Sequence, residues 1–220
     1  MSDPIQRGLA LSFSPRLVAA VWLPRFAVCV ERERRPQLAG RPVVLVGRAE
    51  EGDSEAPVVR ACSAEAAAAG LALHLPAQAI GGRCPHAVIL PYDAHYYRGR
   101  YEELLTALDA VSPLIEAQPL EVFYLDLTGI SGLDAEHPER VAEAVRECIP
   151  EHFSPHVGVA GGKFTAWVAA NLATPLRPLG VPAEAQSIFL REAPSSLLPV
   201  DPKMARRLDL LGLRTLGRIA

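Results

Sequence analysis

The chain has 220 residues, half of which are hydrophobic, and its formal net charge is −3. This length and composition allow one substantial core with at most a small additional subdomain. No apolar run reaches the roughly 18 residues that a membrane span needs, so we expect a cytoplasmic protein that makes no membrane contact. A net negative charge gives no global attraction to a polyanion, which argues against an autonomous, tightly binding DNA module.

The N-terminal segment and the spacing of the cysteines each allow a prediction. Residues 1–16 lack periodicity and predict a disordered leader. The four cysteines lie far apart and form no C-x-x-C pair, so we expect reduced thiols rather than zinc ligands or disulfides. They are Cys29, Cys62, Cys84 and Cys148.

The first half of the chain alternates predicted strands and helices. Residues 17–23 predict a buried strand that ends at Pro24, because proline lacks the amide donor that a sheet needs, and a helix follows from Phe26. Residues 40–47 and 57–62 predict two more strands around an acidic loop. Ser63 is the predicted N-cap of a helix that ends before Gly70.

The second half predicts an amphipathic helix within residues 92–111, followed by a hairpin whose second strand spans 120–128. Glu121 stands at the leading end of that strand. Helices are predicted at 137–149 and 165–173. Gly161-Gly162 before the last of these helices fits a phosphate-binding turn and a plain strand-to-helix turn about equally well.

The order of these motifs resembles the Y-family (UmuC/DinB-like) lesion-bypass DNA polymerases. Residues 119–129 are similar to the family's Ser-Ile-Asp-Glu-Ala-Tyr-Leu-Asp strand, Phe26, Val30 and Glu31 match its opening motif, and residues 211–217 resemble its thumb. The resemblance implies an α+β fold with three parts. These are a palm with a mainly antiparallel sheet and packed helices (17–25 and 92–175), a small fingers subdomain (26–91) and a partial, helix-hairpin-helix-like thumb (176–220).

Family members hold catalytic Mg²⁺ with acidic side chains, and the resemblance places other residues at most of those positions. The metal-ligand positions correspond to Trp22, Pro24, Glu121 and Val122, of which only Glu121 is a carboxylate. The positions that select and hold the incoming nucleotide correspond to Ala27, Ala64, Ala67 and Trp167. These replacements predict no catalytic or nucleotide-binding residue, no metal and no cofactor. We therefore expect a pseudo-polymerase that is not an enzyme, with the two indoles closing its site, most similar to the catalytically silent ImuB group of the family.

The resemblance implies an adaptor in damage-induced translesion synthesis and mutagenesis in the bacterial cytoplasm, near the nucleoid. Its implied partners are primer–template DNA, bound weakly, a sliding clamp, a RecA-like accessory protein and an error-prone replicative-type polymerase. The side chains expected to contact DNA are Lys163, Lys203, Arg206 and Arg214.

Two other functions remain open from the sequence. The first is an active translesion polymerase with a rearranged metal site, in which Asp126 or Asp93 joins Glu121. Asp126 has the opposite strand parity to Glu121, so its side chain is expected on the other face of the sheet. The second is a protein-interaction module that has lost contact with DNA.

Overall fold

The computed structural model describes residues 15–48, 56–118 and 121–219. Most of the predicted leader and of the predicted acidic loop lies outside these ranges. None of the helices in the described ranges is long and apolar enough to cross a bilayer.

The described residues form eight strands and eight α-helices, which are interspersed along the chain together with short 3₁₀ turns. The strands are β1 (Val18–Trp22), β2 (Val43–Gly47), β3 (Val58–Cys62), β4 (Val88–Pro91), β5 (Ile115–Gln118), β6 (Val122–Asp126), β7 (His156–Ala160) and β8 (Leu179–Gly180). The helices are α1 (Phe26–Arg34), α2 (Ala64–Ala68), α3 (Ile80–Arg83), α4 (Ala94–Leu108), α5 (Pro138–Glu147), α6 (Lys163–Leu172), α7 (Gln186–Glu192) and α8 (Pro202–Leu210).

Two sheets organise the molecule. The larger has the order β5-β6-β1-β7-β8 and is antiparallel except for the β7–β8 pair. The smaller has the order β3-β2-β4, with β2 antiparallel to β3 and parallel to β4. This mixed α+β arrangement, with a mainly antiparallel larger sheet, confirms the predicted fold class.

The larger sheet separates two apolar layers because successive side chains of a strand point to opposite faces. Ala19, Val21 and Leu23 face one layer, where α1, α4 and α5 supply further buried side chains. Val18 and Ala20 face the other layer, which α6 covers with small alanines. Two of the three tyrosines of α4, Tyr97 and Tyr101, are buried in the first layer, as their helical spacing predicts.

Strand β7 and helix α6 touch through their backbones. A Cβ at Gly158 would lie 2.2 Å from the amide nitrogen of Ala170 and 2.3 Å from the carbonyl oxygen of Ala166. Only a residue without a side chain permits this approach. The close contact brings α6 down onto the face of the sheet that carries Trp22.

The C-terminal part of the chain is attached more loosely than the sheets. Asp201 caps α8 by accepting hydrogen bonds from the amides of Lys203 (2.8 Å) and Met204 (2.9 Å). None of the residues of α8 is buried, although Met204 and Leu210 are apolar. This helix therefore depends on its cap and its local hydrogen bonds more than on core packing.

Candidate functional site

The strand register places three side chains in one row at an end of the larger sheet. Trp22 of β1 is paired with Val122 of β6 on one side and with His156 of β7 on the other. Directly paired residues share a face of the sheet, and α6 adds Trp167 above them. The ring centroid of Trp22 lies 5.0 Å from that of His156 and 6.4 Å from that of Trp167, the latter in an edge-to-face arrangement.

His156 is held in place by a hydrogen bond. Its Nδ1 lies 2.8 Å from the carbonyl oxygen of Ala173, so this nitrogen carries the proton. Burial lowers the pKa of His156 below 6.5, and the nearby charge of Arg25 lowers the pKa further. The imidazole is therefore neutral at pH 7 and extends the aromatic surface begun by Trp22.

Glu121 is the acidic side chain beside this row. It occupies a turn immediately before β6 rather than the strand itself, and its carbonyl oxygen accepts a 2.7 Å hydrogen bond from the amide of Leu23. This bond ties the turn to the chain that follows β1. The side chain is solvent-exposed, yet partial desolvation raises the pKa of Glu121, and the charge of Arg25 partly offsets that rise.

Glu121 lines a cleft of about 330 Å³ that lies between the larger sheet and the smaller one. We call it the inter-sheet cleft. Strand β3, helix α2 and the segment after α2 form the opposite wall. The residues lining the cleft are Trp22, Pro24, Arg25, Arg60, Ala61, Cys62, Ala67, Leu71, Ala72, Leu73 and Glu121. The expectation that the two indoles close the site is therefore wrong in part, because they contact each other but leave this space open.

The alanines at the predicted nucleotide positions have separate surroundings. Ala67 lines the inter-sheet cleft, and Ala27 is buried in α1. Ala64 begins α2, where the hydroxyl of Ser63 accepts a 3.3 Å hydrogen bond from the amide of Ala66. Ser63 is thus the N-cap that the sequence predicts, and the methyl side chains offer no hydrogen bond to a ligand.

Lys163 lies in a second concavity of about 570 Å³, the α6 groove, between the larger sheet and residues 196–199. Its ammonium group forms an ion pair with the carboxylate of Glu116 and lies 5.1 Å from the centre of the Tyr124 ring. Tyr124 and Trp167 also line this groove. Lys163 therefore sits on the α6-covered face of the sheet, which is also the face of Trp22.

The remaining predicted contacts with DNA lie away from both concavities. Lys203 and Arg206 are exposed on α8, and Arg214 is exposed shortly after it. We assign these three residues only to the surface of the C-terminal part of the chain.

The alternative carboxylates do not meet Glu121. Asp93 caps α4 by accepting a 3.1 Å hydrogen bond from the amide of Tyr96. Asp126 accepts a 3.0 Å hydrogen bond from the amide of Thr128 and faces a separate concavity beside Lys163. No group of three or more metal-binding side chains occurs within residues 15–48, 56–118 and 121–219.

Sequence reasoning missed two residues of this site, Arg25 and His156. Arg25 is the cation that directly follows Pro24, so its position between strand and helix was visible. Its left-handed backbone, with φ of 64° and ψ of 32°, could not be predicted, since nothing in the sequence requires it. His156 is identified only by the pairing of β7 with β1.

Comparison with known proteins identifies relatives across nearly the whole chain. Residues 21–171 match the model of the impB/mucB/samB family. DNA polymerase IV of Dehalococcoides mccartyi is 32% identical over 207 residues, which are 93% of this chain and 52% of that protein. DNA polymerase IV 2 of Mycobacterium bovis is 31% identical over 215 residues, covering 94% of this chain and 60% of the relative.

A solved structure shares the fold. The insertion ternary complex of Dbh DNA polymerase superposes with a TM-score of 0.80 at 24% identity, covering 91% of this chain and 59% of that one. This chain therefore spans between half and two thirds of the length of these relatives. The comparisons do not single out the ImuB group within the family.

The comparisons contradict two of our expectations. The prediction that the chain is not an enzyme is wrong, because the relatives are named DNA polymerase IV. The prediction that no cofactor is required is wrong for the same reason, since phosphoryl transfer by DNA polymerases depends on divalent cations. Both predictions rested on three positions without a carboxylate, Trp22, Pro24 and Val122, whereas the similarity to the relatives extends over 93% of the chain.

The described residues nevertheless do not fit a two-metal centre by themselves. Mg²⁺ prefers oxygen ligands in octahedral geometry, and the inter-sheet cleft offers one carboxylate, Glu121, beside an indole and a proline ring. We therefore derive no catalytic step through a metal here. The match to the family model covers more than half of the chain, from the end of β1 to the end of α6. The chain accordingly belongs to the impB/mucB/samB family, with the fold of the Y-family DNA polymerases.

Proposed function

We propose that this chain is the palm, fingers and partial thumb of a translesion DNA polymerase, which extends a primed DNA template. The observation that carries the proposal is the alignment of 93% of the chain with a protein named DNA polymerase IV. The geometry agrees with it, because the inter-sheet cleft opens beside the turn that holds Glu121. We assign residues 17–25 and 92–175 to the palm, 26–91 to the fingers and 176–220 to the thumb.

DNA would pass along the face of the larger sheet that carries Trp22. Lys163 and the aromatic side chains of the α6 groove offer this face a cation and stacking surfaces, both of which favour nucleic acid. Lys203, Arg206 and Arg214 would add contacts to the DNA backbone from the C-terminal part. With DNA as its substrate, the protein would work in the bacterial cytoplasm at the nucleoid.

Primer extension by the full-length protein tests the proposal. We expect incorporation opposite a template base with Mg²⁺ or Mn²⁺, and a loss of about 100-fold or more in Glu121→Gln. Asp126→Asn is the matched control, since it removes the carboxylate at the other end of β6, which faces another concavity. Absence of extension with either ion, from protein that still binds primed DNA, would refute polymerase activity.

A second candidate is an adaptor role in translesion synthesis. The observation that favours it is the aromatic contact of Trp22 with His156 and Trp167, which occupies the edge of the sheet where the resemblance places acidic residues. In this role the chain would join primed DNA to a sliding clamp, a RecA-like protein and an error-prone replicative-type polymerase. Co-purification of these partners with wild-type protein, undiminished in Glu121→Gln, would support it.

A further inference from the structure

Tyr101 of α4 is a buried tyrosine next to the segment that holds Glu121. Only 4% of the residue is exposed. Burying a hydroxyl group without a hydrogen-bond partner costs free energy, so buried tyrosines almost always use theirs. The acceptors that the Tyr101 hydroxyl uses therefore indicate what this residue does.

The Tyr101 hydroxyl joins the two strands of the β5–β6 hairpin. It lies 3.0 Å from the carbonyl oxygen of Gln118, at the end of β5, and 3.0 Å from that of Val122, at the start of β6. Gln118 and Val122 are directly paired at this end of the ladder, so both strands share the one hydroxyl hydrogen. Tyr101 thus links the strands at the end next to Glu121.

The backbone of Glu121 is held from two directions. Its carbonyl oxygen accepts the amide of Leu23 at 2.7 Å, and the carbonyl oxygen of the next residue, Val122, accepts the hydroxyl of Tyr101. The first bond fixes the peptide group that begins at the Cα of Glu121, and the second fixes the peptide group that follows it. Because a peptide group is planar and includes both flanking Cα atoms, the two bonds together fix the position of the Glu121 Cα.

Two phenylalanines hold the ring of Tyr101 in place. Its centroid lies 5.4 Å from that of Phe26, the first residue of α1, and 6.4 Å from that of Phe123 in β6. Both contacts are edge-to-face, an arrangement in which aromatic rings attract each other. These ring contacts do not involve the hydroxyl, so they would survive its removal.

The hydroxyl of Tyr101 remains a donor at pH 7. Burial raises its pKa, and the negative charge of Glu121 raises that pKa further. The proton therefore stays on Tyr101 and points to the carbonyl oxygens. The effect of the Glu121 charge is consistent with the short path through the backbone from one side chain to the other.

We propose that Tyr101 is a positioning residue that holds Glu121 in the lining of the inter-sheet cleft. It acts through the backbone, because its acceptors are the carbonyl oxygens of residues on either side of Glu121. The consequence for catalysis rests on the proposed function, in which the Glu121 carboxylate serves primer extension. A displacement of about 1 Å can cost about 100-fold in rate, so a loosened hairpin would slow turnover without removing a group that binds substrate.

Tyr101→Phe tests the inference because it removes the hydroxyl and keeps the ring. Tyr97→Phe is the matched control, since Tyr97 lies one turn earlier on α4, is buried, and donates its hydroxyl to Glu31 at 2.9 Å. Each variant loses one buried hydroxyl from the same helix, and each should melt at a lower temperature than the wild type. Only Tyr101→Phe loses the link to the β5–β6 hairpin.

Amide hydrogen exchange measures the hairpin without requiring activity. The Leu23 amide should exchange about tenfold faster in Tyr101→Phe, because its acceptor is the carbonyl oxygen of Glu121, and at the wild-type rate in Tyr97→Phe. Each rate is compared with that of the Ser63 amide, whose acceptor lies in the smaller sheet. This comparison separates a local change from a general loss of stability.

Primer extension by the full-length protein measures the catalytic consequence. We expect Tyr101→Phe to lower kcat about tenfold or more with KM unchanged, and Tyr97→Phe to keep the wild-type kcat. In protein that already carries Glu121→Gln, Tyr101→Phe should cause no further loss, because the carboxylate that it positions is absent.

Four results would overturn the inference. In exchange they are an unchanged Leu23 rate in Tyr101→Phe and an equal acceleration in Tyr97→Phe. In extension they are a raised KM with unchanged kcat in Tyr101→Phe and a full additional loss when it is combined with Glu121→Gln. Faster Leu23 exchange in a protein that extends no primer would contradict only the proposed polymerase activity, and an active polymerase whose Leu23 exchange ignores Tyr101→Phe would contradict only this inference.

Discussion

The contact between Gly158 and α6 allows a stringent test of the structure. In Gly158→Ala the new methyl group would lie 2.2 Å and 2.3 Å from two backbone atoms of α6. Ordinary van der Waals contacts begin near 3.4 Å, so strand and helix would have to separate by about 1 Å. Both atoms belong to the backbone of α6, so a side-chain rotation cannot relieve the clash.

Overpacking a core typically costs about 1–3 kcal/mol, and a clash of a new methyl group with backbone atoms belongs at the upper end. We expect Gly158→Ala to lower the free energy of unfolding by about 3 kcal/mol, measured by urea denaturation. Trp167 would move away from Trp22, so the tryptophan emission of the folded protein should also change.

Gly99→Ala is the matched control because it makes the same chemical change inside a helix. A methyl group at Gly99 would meet no atom within 4 Å, and alanine is favoured over glycine in helices by about 0.5–1 kcal/mol. We therefore expect the two variants to change stability in opposite directions. A Gly158→Ala protein that loses less than about 1 kcal/mol, with unchanged emission, would refute the packing described here.

Three further predictions concern individual side chains. Glu31 is buried and accepts hydrogen bonds from the Tyr97 hydroxyl at 2.9 Å and from two arginines, so Glu31→Gln should cost about 2 kcal/mol in thermal melts; a loss below about 0.5 kcal/mol would contradict that role. Burial raises the pKa of Glu121 in the folded protein above its ordinary value of 4.5. The fold is therefore most stable with respect to this group below pH 4.5, where the carboxyl group is protonated, and it loses that stability as the pH rises through the pKa of the folded state. Glu121→Gln should therefore be more stable than the wild type at pH 7 and show a smaller advantage at pH 4 in urea titrations, and an equal advantage at both pH values would count against desolvation. Asp201→Ala removes the cap of α8 at a local cost of about 1 kcal/mol, so the amides of Lys203 and Met204 should exchange hydrogen faster while the global unfolding midpoint stays constant.

The strands and helices of the sheets follow from local sequence signals. Val18–Trp22 forms a strand that stops before Pro24, Ser63 caps α2, and Tyr97 and Tyr101 of α4 are buried. In each case the signal lies within a few neighbouring residues. It is the periodic spacing of apolar residues in α4, the capping hydroxyl of Ser63 and the missing amide hydrogen of Pro24. These features were predictable because no distant part of the chain has to be known.

The features that shape the site depend on distant contacts and were not predictable in this way. The conformation of Arg25 results from a turn fixed between β1 and α1, and the row of Trp22, Val122 and His156 exists only in the paired sheet. Glu121 was predicted within the strand but occupies the turn before it. The predictions that the chain is not an enzyme and needs no cofactor were wrong for a related reason, since they rested on single positions, whereas the similarity to the family extends over residues 21–171.

One apolar core joins the two sheets. Val43 and Leu45 of the smaller sheet pack in the same cluster as Val21 and Phe123 of the larger one, with α1 between them. Swinging one sheet away from the other would expose this shared interior to water, at a free-energy cost comparable to partial unfolding. The walls of the inter-sheet cleft are therefore rigidly spaced before any ligand arrives, and discrimination among ligands must come from side-chain adjustment rather than from a hinge.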